Sequence, residues 1–153
     1  MIKLSEAPFD PGEALREFST SVEGAGGIVS FTGHVRPTSK AGRVERLHLQ
    51  AYSPMTEQGI EAARNEANNR WPLLGAHIIH RIGDMRPGEA IVFIATAAAH
   101  RRAAFEAADF LMDYLKTEAI FWKKETAGHT SHWIEPRSED YKDSARWTKQ
   151  GDT

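Results

Sequence analysis

The sequence predicts a single-domain α+β protein with an antiparallel-rich sheet and helices packed on one face. Two patterns carry this prediction: short segments in which apolar and polar residues alternate, and long segments with apolar residues at helical spacing. The strand-like segments often come as neighbours in the chain, and such pairs alternate with the helices, which favours antiparallel pairing. A length of 153 residues fits one domain, so we treat 1–153 as a single unit.

In the first half of the chain, turn and cap signals separate the predicted elements. Asp10 is a suitable helix N-cap and Pro11 suits the first helical position, whereas Trp71-Pro72 should end the second helix. The predicted elements are, in order, a strand at 2–4, a helix at 11–18, a strand at 28–31, a polar and mobile loop at 38–42, a strand at 47–52 and a helix from 54 to about 69.

The second half repeats the alternation and holds the longest helix. Phe105, Ala108, Met112 and Leu115 recur at helical spacing and are assigned to the core. The predicted elements are strands at 77–82 and 90–96 joined by a turn at 86–89, a helix beginning near residue 100, strands at 120–124 and 132–135, and a polar tail at 138–153 that should fray.

Basic residues cluster at both ends of that longest helix. His100, Arg101 and Arg102 stand at its start, and the cluster beyond its end begins with Lys116 and continues at 123–124. A helix N-terminus already attracts anions through its free N–H groups and its dipole. The pattern therefore predicts an anionic ligand, with a phosphate as the first choice. Arg36, at the exit of a strand, is either part of such a site or a solvated loop residue.

Composition excludes several classes of function. The net charge of −2 argues against nucleic-acid binding by charge, and the absence of cysteine excludes a disulfide framework, a thiolate nucleophile and a zinc–thiolate site. The His77/His80 and His129/His132 pairs lack helical spacing, so we expect no metal and no cofactor. No apolar run reaches the roughly 20 residues of a membrane span, and the N-terminus lacks a signal-peptide pattern. A cytoplasmic protein with no membrane contact is expected.

Six segments, in register, resemble the large catalytic subunit of molybdopterin synthase. The resemblance covers about 28–147, and two departures stand beside it: Ile120, where the family usually has proline, and the additional charge of Arg102. The matching segments are FTGHVR at 31–36, QAYSPMTE at 50–57, NRWPLLGAHIIHRIGDMRPGE at 69–89, AHRRAAFEAADFLMDYLKT at 99–117, FWKKE at 121–125 and HWIEPR at 132–137.

The resemblance implies a fold, a reaction and partners. The fold would be α/β hammerhead-like. The reaction would convert precursor Z, a cyclic pyranopterin monophosphate, into the molybdopterin dithiolene by two sulfur transfers through a hemisulfurated intermediate. The sulfur would come from the C-terminal Gly-Gly thiocarboxylate of a small ubiquitin-like subunit, and the assembly would be a homodimer of this chain within a heterotetramer. A chain without cysteine is compatible with sulfur that arrives on a partner.

The resemblance also implies which residues act. Lys116 and Lys123 would be catalytic: Lys116 as the acid–base group at the sulfur-transfer carbon, and Lys123 as a stabiliser of charge on the thiocarboxylate or on the departing phosphate oxygen. Arginine suits oxyanions because it binds them in a bidentate manner. The implied substrate-binding residues are His34, Val35, Arg36, His100, Arg101, Lys116, Lys123, Lys124, Glu125 and Arg137.

The length of the helix sets a geometric condition on that list. An unbroken helix separates the backbones of Arg101 and Lys116 by about 22 Å, at roughly 1.5 Å per residue, so one small substrate cannot readily touch both ends. A symmetric dimer would bring one chain's Arg101 near the other chain's Lys116. The alternatives are a helix that breaks, or an Arg101 that pairs with a nearby carboxylate.

Two rival functions are weaker on sequence grounds. A non-enzymatic α+β module that binds a phosphorylated metabolite or RNA should present exposed aromatic residues among basic ones, but Phe31, Phe93 and Phe105 all occupy core-like positions. A phosphotransfer or hydrolytic enzyme would need a nucleophile or a metal–carboxylate set, and the sequence shows neither.

Overall fold

The computed structural model describes residues 1–119, 121–128 and 130–148. Ten strands and four helices are present among these residues. In chain order they are β1 (Ile2–Ser5), α1 (Pro11–Ser21), β2 (Gly27–His34), β3 (Thr38–Ser39), β4 (Gly42–Arg43), β5 (Arg46–Ala51), α2 (Met55–Arg70), β6 (Leu73–Arg81), β7 (Gly83–Met85), β8 (Ala90–Ala98), α3 (Arg101–Thr117), β9 (Phe121–Ala127), β10 (Thr130–Ile134) and α4 (Ser138–Ala145).

The main sheet has the order β1-β6-β8-β2. Its β1–β6 pair is parallel, and its other two pairs are antiparallel. One face, with Ile78 and Ile94, packs against α2 and α3. The opposite face, with Ile79 and Phe93, packs against Phe18 of α1. The α+β class with mainly antiparallel pairing is confirmed, whereas helices cover both faces rather than one. The reason is that β6 and β8 carry apolar residues on both faces, and each face needs a cover.

A second sheet has the order β10-β9-β5-β7 and is antiparallel throughout. Leu47 and Leu49 on its inner face join Met85 in a small core of their own. Side chains alternate along β9, so Lys123 and Glu125 point to this inner side and Lys124 points outward. The sheet therefore holds Lys123 between the two cores.

The segment at 38–42 is not the mobile polar loop that the sequence predicts. Thr38 and Ser39 pair with Arg43 and Gly42 in a two-stranded hairpin. The Ser39 hydroxyl also donates a hydrogen bond to the carboxylate of Glu125, 86 positions along the chain. Sequence reasoning could not find this contact, because nothing local in the sequence links the two residues.

The prediction of a fraying tail is wrong for residues 138–148, and 149–153 lie outside the described residues. Residues 138–145 form α4, after which Arg146 and Trp147 donate hydrogen bonds to Asp113 at 2.7 and 2.6 Å. The Trp147 ring packs edge-on against Trp71 and Phe110. Polar composition suggested fraying, but a single tryptophan with a distant partner anchors the segment.

The apolar stripe predicted for α3 is correct only in part. Ala108 and Leu115 are buried, as is the neighbouring Leu111, but Phe105 is 58% exposed. Phe31 is 44% exposed, while Phe93 is buried as expected. Near Phe105, the buried face of α3 is formed by Ala104, Ala107 and Ala108, and Phe105 itself lies outside that face. No helix among the described residues is long and apolar enough to cross a membrane.

Candidate active site

Three adjoining cavities meet where the end of β2, the last turn of α3 and the inner face of β9 come together. Each of the three is lined by Arg36, Lys116 and Lys123. Their volumes are about 390, 260 and 150 Å³. Three cations from three separate elements thus converge on one space, which suits an anionic ligand.

The pKa of Lys123 is lowered by its surroundings. Lys123 is half-buried, and burial followed by the charge of Lys116 lowers its pKa from 10.5 to about 8, although Asp140 opposes the shift. An amine with this pKa can exchange a proton near neutral pH. Lys116, by contrast, is exposed on the last turn of α3.

Glu125 lies in the smallest of the three cavities, together with Val35 and His34. Its carboxylate is buried and accepts the hydrogen bond from Ser39, while Nε2 of His132 lies 3.8 Å from one of its oxygens. The β3–β4 hairpin is thereby held against the rim of the site. Glu125 thus both lines the cavity and fixes the hairpin through Ser39.

Arg137 enters the site from the N-terminus of α4. Its backbone N–H donates to Asp140 at 2.9 Å, and its guanidinium donates to the same carboxylate at 3.2 Å. Burial raises the pKa of Asp140, but these hydrogen bonds and the charge of Lys116 outweigh it, so that the pKa is lowered overall. Asp140 therefore stays ionised and holds Arg137 at the cavity that contains Lys116 and Lys123.

Seven of the predicted site residues line the three cavities. These seven are His34, Val35, Arg36, Lys116, Lys123, Glu125 and Arg137. Lys124 does not join them, because its ammonium faces outward over the Trp133 ring at 5.7 Å. His100 and Arg101 are exposed at the opposite end of α3 and line none of the three.

The structure removes both single-chain explanations for that separation. The α3 helix runs unbroken from Arg101 to Thr117. Among the described residues, Arg101 forms no ion pair with a carboxylate. If Arg101 handles the same ligand as Lys116, the Arg101 of another copy must supply the contact.

Sequence reasoning missed two groups at the site. His80 is buried in β6 and lines the largest of the three cavities, and Met112, assigned only to the core, lines the same cavity. Alternation along β6 places His80 on the same face as Ile78, which packs toward α3, and this was the available signal. His77, three positions earlier, lies on the opposite face against Phe18, so the two histidines cannot share a metal ion.

An outward-facing row of aromatic rings is also present. Trp122 contacts Tyr52 and Trp133 edge-on, at ring-centroid distances of 6.4 and 5.7 Å, and all three rings are exposed. The sequence predicts no exposed aromatic residues beside basic ones, and this prediction is wrong, because the ammonium of Lys124 lies over the exposed Trp133 ring. A net charge of −2 still gives little general attraction for a nucleic acid.

Together, the fold and the site define a class: a small α+β protein with a lysine- and arginine-lined pocket for an anionic ligand. The model of the MoaE protein family matches residues 4–118. The molybdopterin synthase catalytic subunit of Pseudomonas aeruginosa is 44% identical over 146 residues, covering 95% of this chain and 97% of the relative. The chain belongs to the MoaE protein family.

Solved structures agree with this assignment. The molybdopterin biosynthesis MoaE protein from Burkholderia ambifaria superposes with a TM-score of 0.83 at 37% identity, covering 98% of this chain and 99% of that one. A complex of subunits 1 and 2 of molybdopterin-converting factor from Helicobacter pylori contains a chain with a TM-score of 0.75 and coverages of 90% and 92%. At 19% identity, the second likeness concerns the fold alone.

Proposed function

We propose that this chain is the sulfur-transferring subunit of a molybdopterin synthase, acting on precursor Z with sulfur from a small carrier protein. The observation that carries the proposal is the convergence of Arg36, Lys116 and Lys123 on one set of cavities, with the pKa of Lys123 brought to about 8. A phosphate ester needs cations, and sulfur transfer needs a proton donor and acceptor. The site offers both.

The chemistry of each transfer defines what the chain must do. The carrier's thiocarboxylate sulfur forms a bond to a substrate carbon, giving a thioester to the carrier. The carbon–oxygen bond at that substrate carbon breaks, and its oxygen takes up a proton and leaves as water or stays on the freed phosphate. Water then breaks the bond between that sulfur and the carrier's carbonyl carbon, leaving a carboxylate on the carrier and a thiol on the substrate. This chain contains no cysteine, so its own part is to bind, orient and move protons.

The two lysines divide these tasks differently from the sequence-based assignment. We assign proton exchange to Lys123, because burial and the charge of Lys116 lower its pKa to about 8, close to neutral pH. Lys116 is exposed at the mouth of the same cavities, and its positive charge suits the negative charge of the thiocarboxylate or the phosphate. Arg36 and Arg137 would bind the phosphate, with His34, Val35 and Glu125 shaping the pocket around it.

The proposed partner is a small ubiquitin-like subunit that ends in Gly-Gly. The Helicobacter pylori structure is a complex of two subunits of molybdopterin-converting factor, which supports a two-protein assembly for a chain of this fold. A terminal pair of glycines is narrow enough to pass between side chains into an enclosed cavity. We further propose two copies of this chain per assembly, with His100 and Arg101 of one copy completing the site of the other.

We propose the cytoplasm as the compartment. The fold contains no cysteine and so needs no oxidising compartment for its stability. Cell fractionation with an antibody to the chain would test this location.

The deciding experiment is reconstitution from purified components. The chain, a thiocarboxylated carrier and precursor Z should yield molybdopterin, measured by chromatography of the oxidised fluorescent product. Lys123→Ala and Lys116→Ala should each lower the rate by about 10²- to 10⁴-fold, the usual range for a group that moves a proton or stabilises charge in the transition state. Lys142→Ala, in the exposed part of α4, is the matched control and should stay active.

Two results would count against the proposal. Normal turnover of Lys123→Ala would remove the acid–base assignment. A wild-type chain that binds precursor Z but produces no molybdopterin with the carrier would instead favour the non-enzymatic module.

A further inference from the structure

His80 occupies the inner wall of the largest site cavity. It lies on β6, is 4% exposed, and lines the cavity of about 390 Å³ with Arg36, Lys116 and Lys123. Its ring stacks on Phe121 with centroids 4.2 Å apart and planes 21° apart. Phe121 precedes Lys123 by two positions on β9, so the stack joins the main sheet to the strand that carries the lysine.

The hydrogen bond of the ring determines where its proton resides. Nδ1 lies 2.8 Å from the backbone carbonyl oxygen of Arg81. A carbonyl oxygen only accepts, so Nδ1 must carry the hydrogen, and in the neutral ring Nε2 is then an acceptor with a free lone pair. Among the described residues, Nε2 has no hydrogen-bond partner, and it is not one of the fully buried side-chain atoms that lack one. It is available to a molecule in the cavity.

The ring stays neutral under working conditions. Burial lowers the pKa of His80 to about 3, the hydrogen bond to Arg81 opposes the shift, and the charges of Lys123 and Lys116 add to it. A protonated ring at this place would add a fourth positive charge to the cavity wall. The neutral ring adds an acceptor instead.

Such an acceptor matters because the charged groups that surround it can only donate. Arg36, Lys116 and Lys123 can satisfy a phosphate, but they cannot accept a hydrogen bond from a ring N–H. No carboxylate of the described residues lines the cavity of His80. In the two adjoining cavities, Glu125 is engaged with Ser39 and Asp140 with Arg137, and Glu135 is exposed. The other side-chain oxygen and nitrogen acceptors that line this cavity, those of Thr32 and His34, are less buried than His80.

We propose that His80 is a pterin-binding residue whose Nε2 accepts a hydrogen bond from a ring N–H of the substrate. This inference rests on the proposed function, since it takes the substrate to be a reduced pterin phosphate. Recognition then has two parts. The cations bind the phosphate, and the buried neutral imidazole of His80 accepts a hydrogen bond from an N–H of the pterin ring. Because stacking on Phe121 and the bond to Arg81 fix the imidazole, the acceptor is positioned before the substrate arrives.

The test compares two substitutions by anaerobic equilibrium binding of precursor Z and of inorganic phosphate. In His80→Asn, the amide can still donate to the Arg81 carbonyl but ends short of the cavity. In His80→Gln, the longer side chain can place an oxygen where Nε2 was. His80→Asn should weaken precursor Z binding by roughly 5- to 30-fold, the value of one or two kcal/mol, without weakening phosphate binding. His80→Gln should recover part of the loss.

His77→Asn is the matched control. His77 lies on the same strand but faces Phe18 on the other side of the sheet, so its replacement should leave precursor Z binding unchanged. Melting curves of all three variants show whether the fold is kept. A measurement that needs no variant accompanies them: in ¹⁵N-histidine-labelled wild-type protein, the Nε2 resonance of His80 should have the unprotonated character and shift with precursor Z but not with phosphate.

Each outcome has a distinct meaning. Unchanged precursor Z binding by His80→Asn, or equal losses for precursor Z and phosphate, would overturn the role of His80 alone. The pH–rate profile of His80→Asn gives a further check. If its alkaline limb changes while precursor Z binding does not, His80 acts through Lys123, and the proposal is overturned. An Nε2 resonance that ignores precursor Z contradicts it even if the variants do not fold. A wild-type chain that does not bind precursor Z overturns the proposed function and this inference together.

Discussion

Lys123 is a cation held half-buried on the inner face of β9, and burial is the main reason that its pKa falls to about 8. Among the described residues, its ammonium forms no hydrogen bond or ion pair with a carboxylate. The folded protein thus keeps the charged form at a disadvantage. A group tuned for proton exchange should therefore lower the stability of the fold that holds it.

The first prediction is that Lys123→Met stabilises the protein at pH 7 while abolishing turnover. The pKa falls from 10.5 to about 8, and one pKa unit corresponds to about 1.4 kcal/mol, so the gain is about 3 kcal/mol at most. The sign follows from proton binding: between pH 8 and 10.5 the unfolded chain holds more protons at this site, so stability rises with pH there. The advantage of Lys123→Met should therefore be complete below pH 8 and shrink above it.

Urea denaturation of both proteins between pH 6 and 10 measures this difference. Lys124→Met is the matched control for stability, because Lys124 faces outward over Trp133 on the same strand. It should show no comparable gain. A Lys123→Met variant that is less stable than wild type at pH 7 would mean that the ammonium has a favourable partner in solution.

At the scale of elements, the β3–β4 hairpin is a short element whose contact with the site depends on the side chain of Ser39. Two ladder pairs and the bond from the Val44 N–H to the Pro37 carbonyl join its arms. The Ser39–Glu125 hydrogen bond fixes its tip to β9, while the Glu45 N–H donates to the Thr126 carbonyl of β9 at its base. The Ser39 hydroxyl also accepts from the Ala41 N–H at 3.2 Å, so one side chain both shapes the turn and anchors it.

The second prediction is that Ser39→Ala releases the hairpin. The buried Glu125 carboxylate would lose a donor, and we expect a loss of about 1–2 kcal/mol in the free energy of unfolding. Hydrogen exchange of the amides at 38–43 should accelerate, because a hairpin with so short a ladder is marginal in water once its tip is no longer fixed to β9. Ser131→Ala, which removes an exposed hydroxyl contact to Thr126, is the control and should leave exchange at 38–43 unchanged. Equal exchange rates in wild type and Ser39→Ala would show that the hairpin is held by something else.

Elements that depend on local signals could be predicted from the sequence. Asp10 does accept the hydrogen bond from the Gly12 N–H at the start of α1, and α3 begins beside the His100-Arg101 pair. The convergence of Lys116 and Lys123 followed from family resemblance, since spacing alone does not bring a helix end and a strand together. What could not be predicted depends on distant partners: the Trp147–Asp113 bond that anchors α4, and the Ser39–Glu125 bond.

Two errors share another cause. Phe105 and Phe31 were assigned to the core because aromatic residues at the right spacing usually fill it, yet both are exposed here. A pattern reports which face of an element is apolar, and it does not report whether the chain or another molecule covers that face. The same limit hid His80, whose place at the site depends on Phe121 and on the far ends of α3 and β2.

At the scale of the whole molecule, two observations favour the pairing of two copies of the chain: the exposed phenylalanines and the distance between Arg101 and Lys116 along α3. Strand β2 is an edge of the main sheet and carries Phe31, while α3 packs beside it and carries Phe105. An edge strand with exposed aromatic neighbours is a surface that a second copy could cover. Gly27 at the start of β2 lies beside Arg101, and His34 at its end lies in the cavity with Lys116. Antiparallel pairing of two β2 edges about a two-fold axis would therefore bring Arg101 of one copy toward Lys116 of the other.

The last prediction is complementation between two inactive variants. In the proposed homodimer, Arg101→Ala and Lys116→Ala would each damage both sites, but a mixed dimer would contain one site with both wild-type residues and one with neither. If subunits exchange freely, half of the dimers are mixed and half of their sites are intact, so about a quarter of wild-type activity should return. Two affinity tags would isolate the mixed dimers, and each variant incubated alone serves as the control. Mixed dimers with no activity would mean that each site lies within one chain, and the exposed Arg101 would then need another explanation.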